Sequence, residues 1–278
     1  MLQIVSALKG YSIEAKDGTI GTVNDFLFDD STFKVRWLVI DTGNWLTGRK
    51  VLIHPTAVHY ADHWTRKLTV ELTKSQVENS PDIANDRPVS LQMQNDLYGH
   101  YGWDPQGAGS LYGGAMYDGA QYVADMGSMD PPMPPRTYFG VNAASEAEHV
   151  KTTLHEADPH LRSIAEVTGY DVHAVDGSIG YVENFLIDNE SWVVRYLTVD
   201  TSKWWFGQHV LISPHAVKEV DWTSRYIRLD IARVQVKASP PWDPATLVDE
   251  NFENQLYSHY NWPVDKSKPM PDSHRQHQ

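Results

Sequence analysis

Apolar and polar positions along this chain fall into short stretches with the two-residue period of β-strands. Residues 11–15 alternate, and Asp17-Gly18 follows as a hairpin turn in which glycine takes a positive φ. Residues 19–28 carry Ile20, Val23, Phe26 and Phe28, with a bend expected at Gly21, where a missing side chain permits a bulge or close packing. The run VRWLVID at 35–41 is apolar almost throughout, as in a strand buried on most sides. Shorter strands are expected at 51–53, 57–61 and 68–72. This density of short strands predicts a small closed barrel, because closure removes unpaired edges. Two helices follow: a turn at 74–79 stopped by Ser80-Pro81, and a helix at 91–101 whose Met93, Leu97 and Tyr101 form a stripe that docks onto the barrel.

The whole pattern then recurs. Residues 2–58 match 161–217 at a constant offset of 159, and 24 of the 49 positions in 10–58 are identical. About 3 identities are expected by chance from ordinary residue usage. The match continues past a single-residue length difference placed near Trp64 and Trp222. It ends with LYGHYGW (97–103) opposite LYSHYNW (256–262), where Phe252, Leu256 and Tyr260 repeat the helical stripe. The chain is a tandem duplication. The expected organisation is a first repeat at 1–103, a linker with a short helix at 104–160, a second repeat at 161–262, and a disordered tail at 263–278. The linker is rich in Gly, Pro, Met and Tyr and lacks a period, so residues 106–136 read as its flexible part, and Ser145-Glu-Ala-Glu148 fits a capping box for its helix. The fold class is therefore mainly β, two tandem small barrels each followed by short helices.

Composition narrows the function. The 278 residues carry 23 basic and 36 acidic side chains, a formal charge of −13, with no basic patch. Such a surface repels phosphate and argues against nucleic acid as a partner. No signal peptide and no apolar run long enough to span a bilayer is visible, so the expectation is a soluble cytoplasmic protein without membrane insertion. Cysteine is absent, which removes disulfides, thiol catalysis and thiolate metal sites.

The combination GY…A.DG.IG.V..FL.D…VR.L..DT..W..G..VLI.P.AV, present twice, resembles the PRC-barrel family. That family shares its barrel with the cytoplasmic part of the photosynthetic reaction-centre H subunit and with the C-terminal domain of a 16S rRNA processing factor. His160-Leu161-Arg162-Ser163 and the segment Leu256-Tyr257-Ser258-His259-Tyr260 resemble a bacterial subgroup whose repeats begin and end in this way. The resemblance covers about 200 residues. It implies a barrel that binds other proteins, with no family-wide catalytic residue. Neither the transmembrane helix of the H subunit nor the second, RNA-associated domain of the rRNA factor is expected within these residues.

Candidate chemistry is sparse. The recurring carboxylates Asp17/Asp176, Asp29/Asp188 and Asp41/Asp200 fall at turns and strand ends, where they bond nearby backbone N–H groups. His149, His155 and His160, with Glu156 and Asp158, supply ligand-type side chains without the spacing of a metal site. His100 and His259, flanked by tyrosines on the docked helices, read as hydrogen-bonded structural histidines. No nucleophile elbow or phosphate-binding glycine loop is present. No catalytic residue, metal ligand or cofactor is therefore assigned.

The aromatic loops remain. Trp45 and Trp204 occupy matched positions and are expected to plug their barrels, with Gly18, Gly21, Gly177 and Gly180 as structural glycines. Leu46, Trp205 and Phe206 are the candidates for partner contact. The favoured reading is a non-enzymatic interaction or scaffold protein, its partner another protein or a second copy forming a homodimer. Two alternatives stand: an H-subunit-like accessory or assembly factor of photosynthetic complexes, and a metal-dependent protein or enzyme with a site between the barrels.

Overall fold

The computed structural model describes residues 1–46, 48–81, 89–103, 158–202 and 208–263. The expected helix after Ser145 and most of the linker and tail lie outside these residues. The first repeat contains β1 (Leu2–Ile4), α1 (Val5–Leu8), β2 (Ser12–Ala15), β3 (Gly18–Asp29), β4 (Val35–Asp41), β5 (Lys50–Ile53), β6 (Val58–Asp62), β7 (Lys67–Val70), α2 (Lys74–Glu78) and α3 (Leu91–Tyr101). The second repeats the series as β8 (Leu161–Ser163), α4 (Ile164–Val167), β9 (Asp171–Ala174), β10 (Gly177–Asp188), β11 (Val194–Asp200), β12 (His209–Ile212), β13 (Val217–Asp221), β14 (Tyr226–Leu229), α5 (Arg233–Lys237) and α6 (Glu250–Tyr260).

Mainly β structure and two matching sheets are what the sequence leads one to expect. The strand orders are β5-β4-β3-β2-β7-β6 and β12-β11-β10-β9-β14-β13, the same path at the same offset. One expectation needs correction: the sheets are barrel-like, not closed. Each hydrogen-bonded path ends on two strands that are consecutive in the chain, β5 and β6 or β12 and β13. Between them lies a 3-10 turn, Pro55–Ala57 or Pro214–Ala216, and proline has no N–H with which to continue a ladder. The chain itself rounds the gap that hydrogen bonds leave.

The described chain divides into two compact units, and the boundary does not follow the repeats. The C-terminal unit comprises Met1–Tyr11, Asp25–Val35 and the described part of Arg162–Gln278; the N-terminal unit comprises Ser12–Asn24 and the described part of Arg36–Leu161. Inside the C-terminal unit β1 pairs antiparallel with β10 (Leu2↔Asp188, Gln3↔Ile187, Ile4↔Leu186). Three-residue strands that pair only with distant partners leave no local period, which is why β1 and β8 are invisible in the sequence pattern.

Each unit has its own core. Ile13, Ile20, Val23, Trp37, Leu38 and Leu52 fill the N-terminal unit; Val5, Leu8, Phe26, Phe28, Phe185 and Tyr196 fill the C-terminal one. The long helices α3 and α6 are capped by Ser90 and Asp249, whose side chains accept from the N–H groups of Met93 and Phe252, and end at left-handed Gly102 and Asn261. Leu97 and Tyr101 of the expected stripe on α3 are buried, as are Leu256 and Tyr260 on α6, and Tyr98 and Tyr257 widen the two faces. Gln94, Leu97, Tyr98 and Tyr101 face inward on α3, whereas Met93 is half-buried.

Candidate interaction surface

The recurring carboxylates are all engaged in holding backbone. Asp17 Oδ1 accepts from Lys74 N at 2.8 Å and Asp176 Oδ1 from Arg233 N at 2.7 Å, so each turn caps a following helix. Asp29 and Asp188 accept from residues of the next turn, Ser31 and Thr32 in one case and Glu190 and Ser191 in the other. Burial opposes ionisation of Asp29 and Asp188, but these hydrogen bonds to the ionised form prevail and hold both below the usual carboxylate value. Asp41 accepts from Gly43 N at 2.9 Å and Asp200 from Ser202 N at 2.7 Å. His100 and His259 behave alike, each ring Nε2 lying 2.8 Å from a carbonyl oxygen, of Gln76 and Gln235 respectively.

Gly21 and Gly180 sit where β3 and β10 pass the ends of β4 and β11. A Cβ at Gly21 would come within 2.9 Å of the Asp41 carbonyl carbon, and one at Gly180 within 2.8 Å of that of Asp200. Gly180 also has φ +143°, a conformation in which a side chain is strained. Gly18 and Gly177 turn their hairpins at φ +132° and +139°.

Of the loop residues, Trp45 is half-buried, with the Lys74 ammonium 4.8 Å from its ring centroid. Leu46 is half-buried, and its carbonyl accepts from Arg49 N at 3.0 Å. Trp204, Trp205 and Phe206 lie outside the described residues, as do His149, His155 and Glu156. His160 is exposed, its N–H donating to Asp158 Oδ1 at 2.9 Å. Among the described residues no group of His, Asp and Glu is arranged to hold a metal ion, and no helix is long and apolar enough to cross a membrane.

A family model described as the PRC-barrel domain matches residues 5–77 and again 159–236, together more than half of the chain. The chain belongs to the PRC-barrel family. Among curated proteins no sequence relative matches it.

The two PRC-barrel repeats differ in the turn between their last two strands. Both turns have four residues, 63–66 and 222–225, and both end in a left-handed arginine, Arg66 at φ 55° and Arg225 at φ 57°. The supposed one-residue length difference is therefore absent. Trp64 and Trp222 instead occupy adjacent positions of equivalent turns. Trp222 is half-buried beneath the Arg162 guanidinium, 4.1 Å from its ring centroid, and lies 6.1 Å from the Tyr170 ring. Trp64, one position later, is 98% exposed. Tyr60 on edge strand β6, 61% exposed, joins it on the N-terminal unit, where the second repeat has Glu219. The signal for this surface was present in the sequence, because a constant offset sets Trp64 opposite Thr223 and Trp222 opposite His63.

The C-terminal unit also carries a shallow open cleft of about 440 Å³ between the turn Asp30, Ser31, Thr32, Phe33 and edge strand β13. Asp30 is already bonded to Arg162 Nε at 3.1 Å. The far wall of the cleft carries His215, Lys218 and Glu219 together with Trp222.

Proposed function

We propose that this is a non-enzymatic cytoplasmic scaffold that binds another protein through surfaces of its PRC-barrel repeats. The observation that carries the reading is the exposure of Trp64 and Tyr60, whereas Arg162 covers the tryptophan in the equivalent turn of the other repeat. A large aromatic that a fold leaves in water is what an interface uses as an anchor, and such anchors contribute about 2 kcal/mol or more when a partner buries them. The acidic charge of −13 favours a partner that is not itself strongly acidic. Leu46, Trp205 and Phe206 belong to the same proposal as secondary contacts.

The test compares the wild-type chain with Trp64→Ser/Tyr60→Ser and with Trp205→Ala/Phe206→Ala. Affinity purification from the native cell with quantitative mass spectrometry should show a protein enriched by the wild type and depleted at least tenfold by the first pair. Circular dichroism and the melting temperature should be unchanged. Enrichment indifferent to both pairs, with both variants folded, sinks the reading.

A further inference from the structure

The C-terminal unit is assembled from both repeats, and the contacts that assemble it come in matched pairs. Val35 N donates to Trp192 O at 2.8 Å, and Val194 N donates to Phe33 O at 2.8 Å. Adding 159 to the first-repeat residue of one pair and subtracting 159 from its second-repeat residue yields the other pair with the roles exchanged. Ser6 N donates to Asn184 Oδ1 at 3.2 Å, and Ala165 N donates to Asp25 Oδ1 at 3.1 Å, again related by 159. The strand β1 pairs with β10, and its counterpart β8 pairs with β3, the counterpart of β10. The antiparallel bridge Lys34↔Val193 maps onto itself under the same operation, so the local two-fold axis runs through it. Phe33 and Trp192, one residue before it, share the left-handed conformation at φ 54° and 57°.

This is the signature of an isologous contact, in which residue i of one copy meets j of the other and j meets i. We propose that the two repeats associate through a self-complementary surface of the homodimer type, formed by residues 1–11 with the β3–β4 turn and by 162–169 with the β10–β11 turn. The partner this surface fits is a second copy of the repeat. Within one chain the other repeat occupies it; freed from the covalent link, a repeat from another chain can. Much of the matched bonding uses backbone donors and acceptors, so it survives sequence divergence between the copies. Two side-chain differences choose among pairings. Arg162 meets Asp30 with Nε–Oδ2 at 3.1 Å, while the counterparts of these residues are Gln3 and Asn189. Pairing unlike repeats forms this ion pair, and pairing like repeats forms none, which favours one first repeat with one second repeat.

A site-specific protease sequence inserted after Gly119 in the full chain tests this. After complete cutting, size-exclusion chromatography in native buffer should show both halves eluting together at the position of the uncut 31.5 kDa chain. Native mass spectrometry should give a 1:1 complex. Cut chains of two isotopic labels, unfolded together and refolded, should exchange halves to a statistical mixture, with like–like dimers rising at least threefold on Arg162→Gln. As a second measurement, Ser6→Cys/Asn184→Cys in the otherwise cysteine-free chain should be joined by a short bis-maleimide cross-linker, because the two side chains meet, Asn184 Nδ2 lying 2.6 Å from Ser6 Oγ. Halves that separate in native buffer while each stays folded, or a folded double-cysteine chain that the cross-linker leaves unjoined, would overturn the proposal.

Discussion

In the N-terminal unit, Gln94 of α3 receives the Trp37 indole N–H at 3.1 Å and the Arg36 guanidinium at 3.1 Å, and donates to Asp158 Oδ2 at 2.8 Å. In the C-terminal unit the counterpart of Gln94 is Glu253, which accepts from the Tyr196 hydroxyl at 3.0 Å and lies 3.8 Å from Arg195. Both arrangements tie the long helix to the buried strand and balance one arginine with one carboxylate. The first draws its carboxylate from Asp158, outside the helix, and uses an amide as the relay. The second places the charge on the helix itself, and burial together with that charge pushes the Tyr196 hydroxyl far above its ordinary pKa. The lesson is that the duplicated backbone demands a polar anchor at this helix position, while the charge that completes the anchor can come from either of two places. Neither version converts to an apolar side chain without stranding buried donors.

If the backbone demands of the two copies are the same and only their polar chemistry differs, substitutions at the shared glycines must hurt both. Gly180→Ala should cost about 4 kcal/mol, adding collision to strain at positive φ, and Gly21→Ala about 2 kcal/mol from collision alone. Denaturant unfolding measures both, and full tolerance of either substitution would mean that the close approach of the strands is not shared.

The next effect sharpens the helix anchors. Gln94→Leu should cost about 3 kcal/mol, because it leaves the Trp37 indole and the Asp158 carboxylate without this partner. Gln94→Glu alone should also destabilise, since it sets a second carboxylate beside Asp158. Adding Asp158→Asn should recover about 1–2 kcal/mol, converting the first anchor to the chemistry of the second. A double-mutant cycle with no coupling would refute the equivalence.

Acid separates the copies less strongly. Asp29 has a folded pKa below its usual value of 3.8, so its stabilisation is present above the unfolded pKa and is lost as pH falls through the folded one. Asp29→Asn should lower stability by about 1–2 kcal/mol at neutral pH and flatten its decline below about pH 4. Asp188 is depressed likewise: burial opposes its ionisation, but the Ser191 hydrogen bonds and then the Met1 ammonium, 3.4 Å away, outweigh it. Acetylating the N-terminus should therefore weaken its share of the acid dependence and leave that of Asp29 intact, as pH-resolved melting would show.

The smallest effects fall at the two turns. Trp222→Ser removes the stack under Arg162 and should cost about 1 kcal/mol; Trp64→Ser should stay within about 0.5 kcal/mol. Loss of stability on Trp64→Ser equal to that on Trp222→Ser would mean that Trp64 is covered in solution.

Most strands, the hairpin at Asp17-Gly18 and the helices α2 and α3 were legible because they rest on local periodicity and turn chemistry. The duplication needed nothing beyond comparison of the chain with itself. Gln94 escaped notice because polarity argues for the surface, and only the partners gathered around it by the fold explain its burial at 2% exposure. Trp64 escaped for the opposite reason. A tryptophan in a turn looks the same on paper whether a neighbour covers it, and that depends on which residue arrives from elsewhere: Arg162 reaches Trp222, one position of register away from where Trp64 stands in its own turn. Sequence alone thus determined the repeat, its strands and its turns, since those depend on near neighbours. The exchange of β1 and β8, the open ends of the sheets and the exposure of one tryptophan against the cover of the other were decided in three dimensions, because each depends on contacts between residues far apart along the chain.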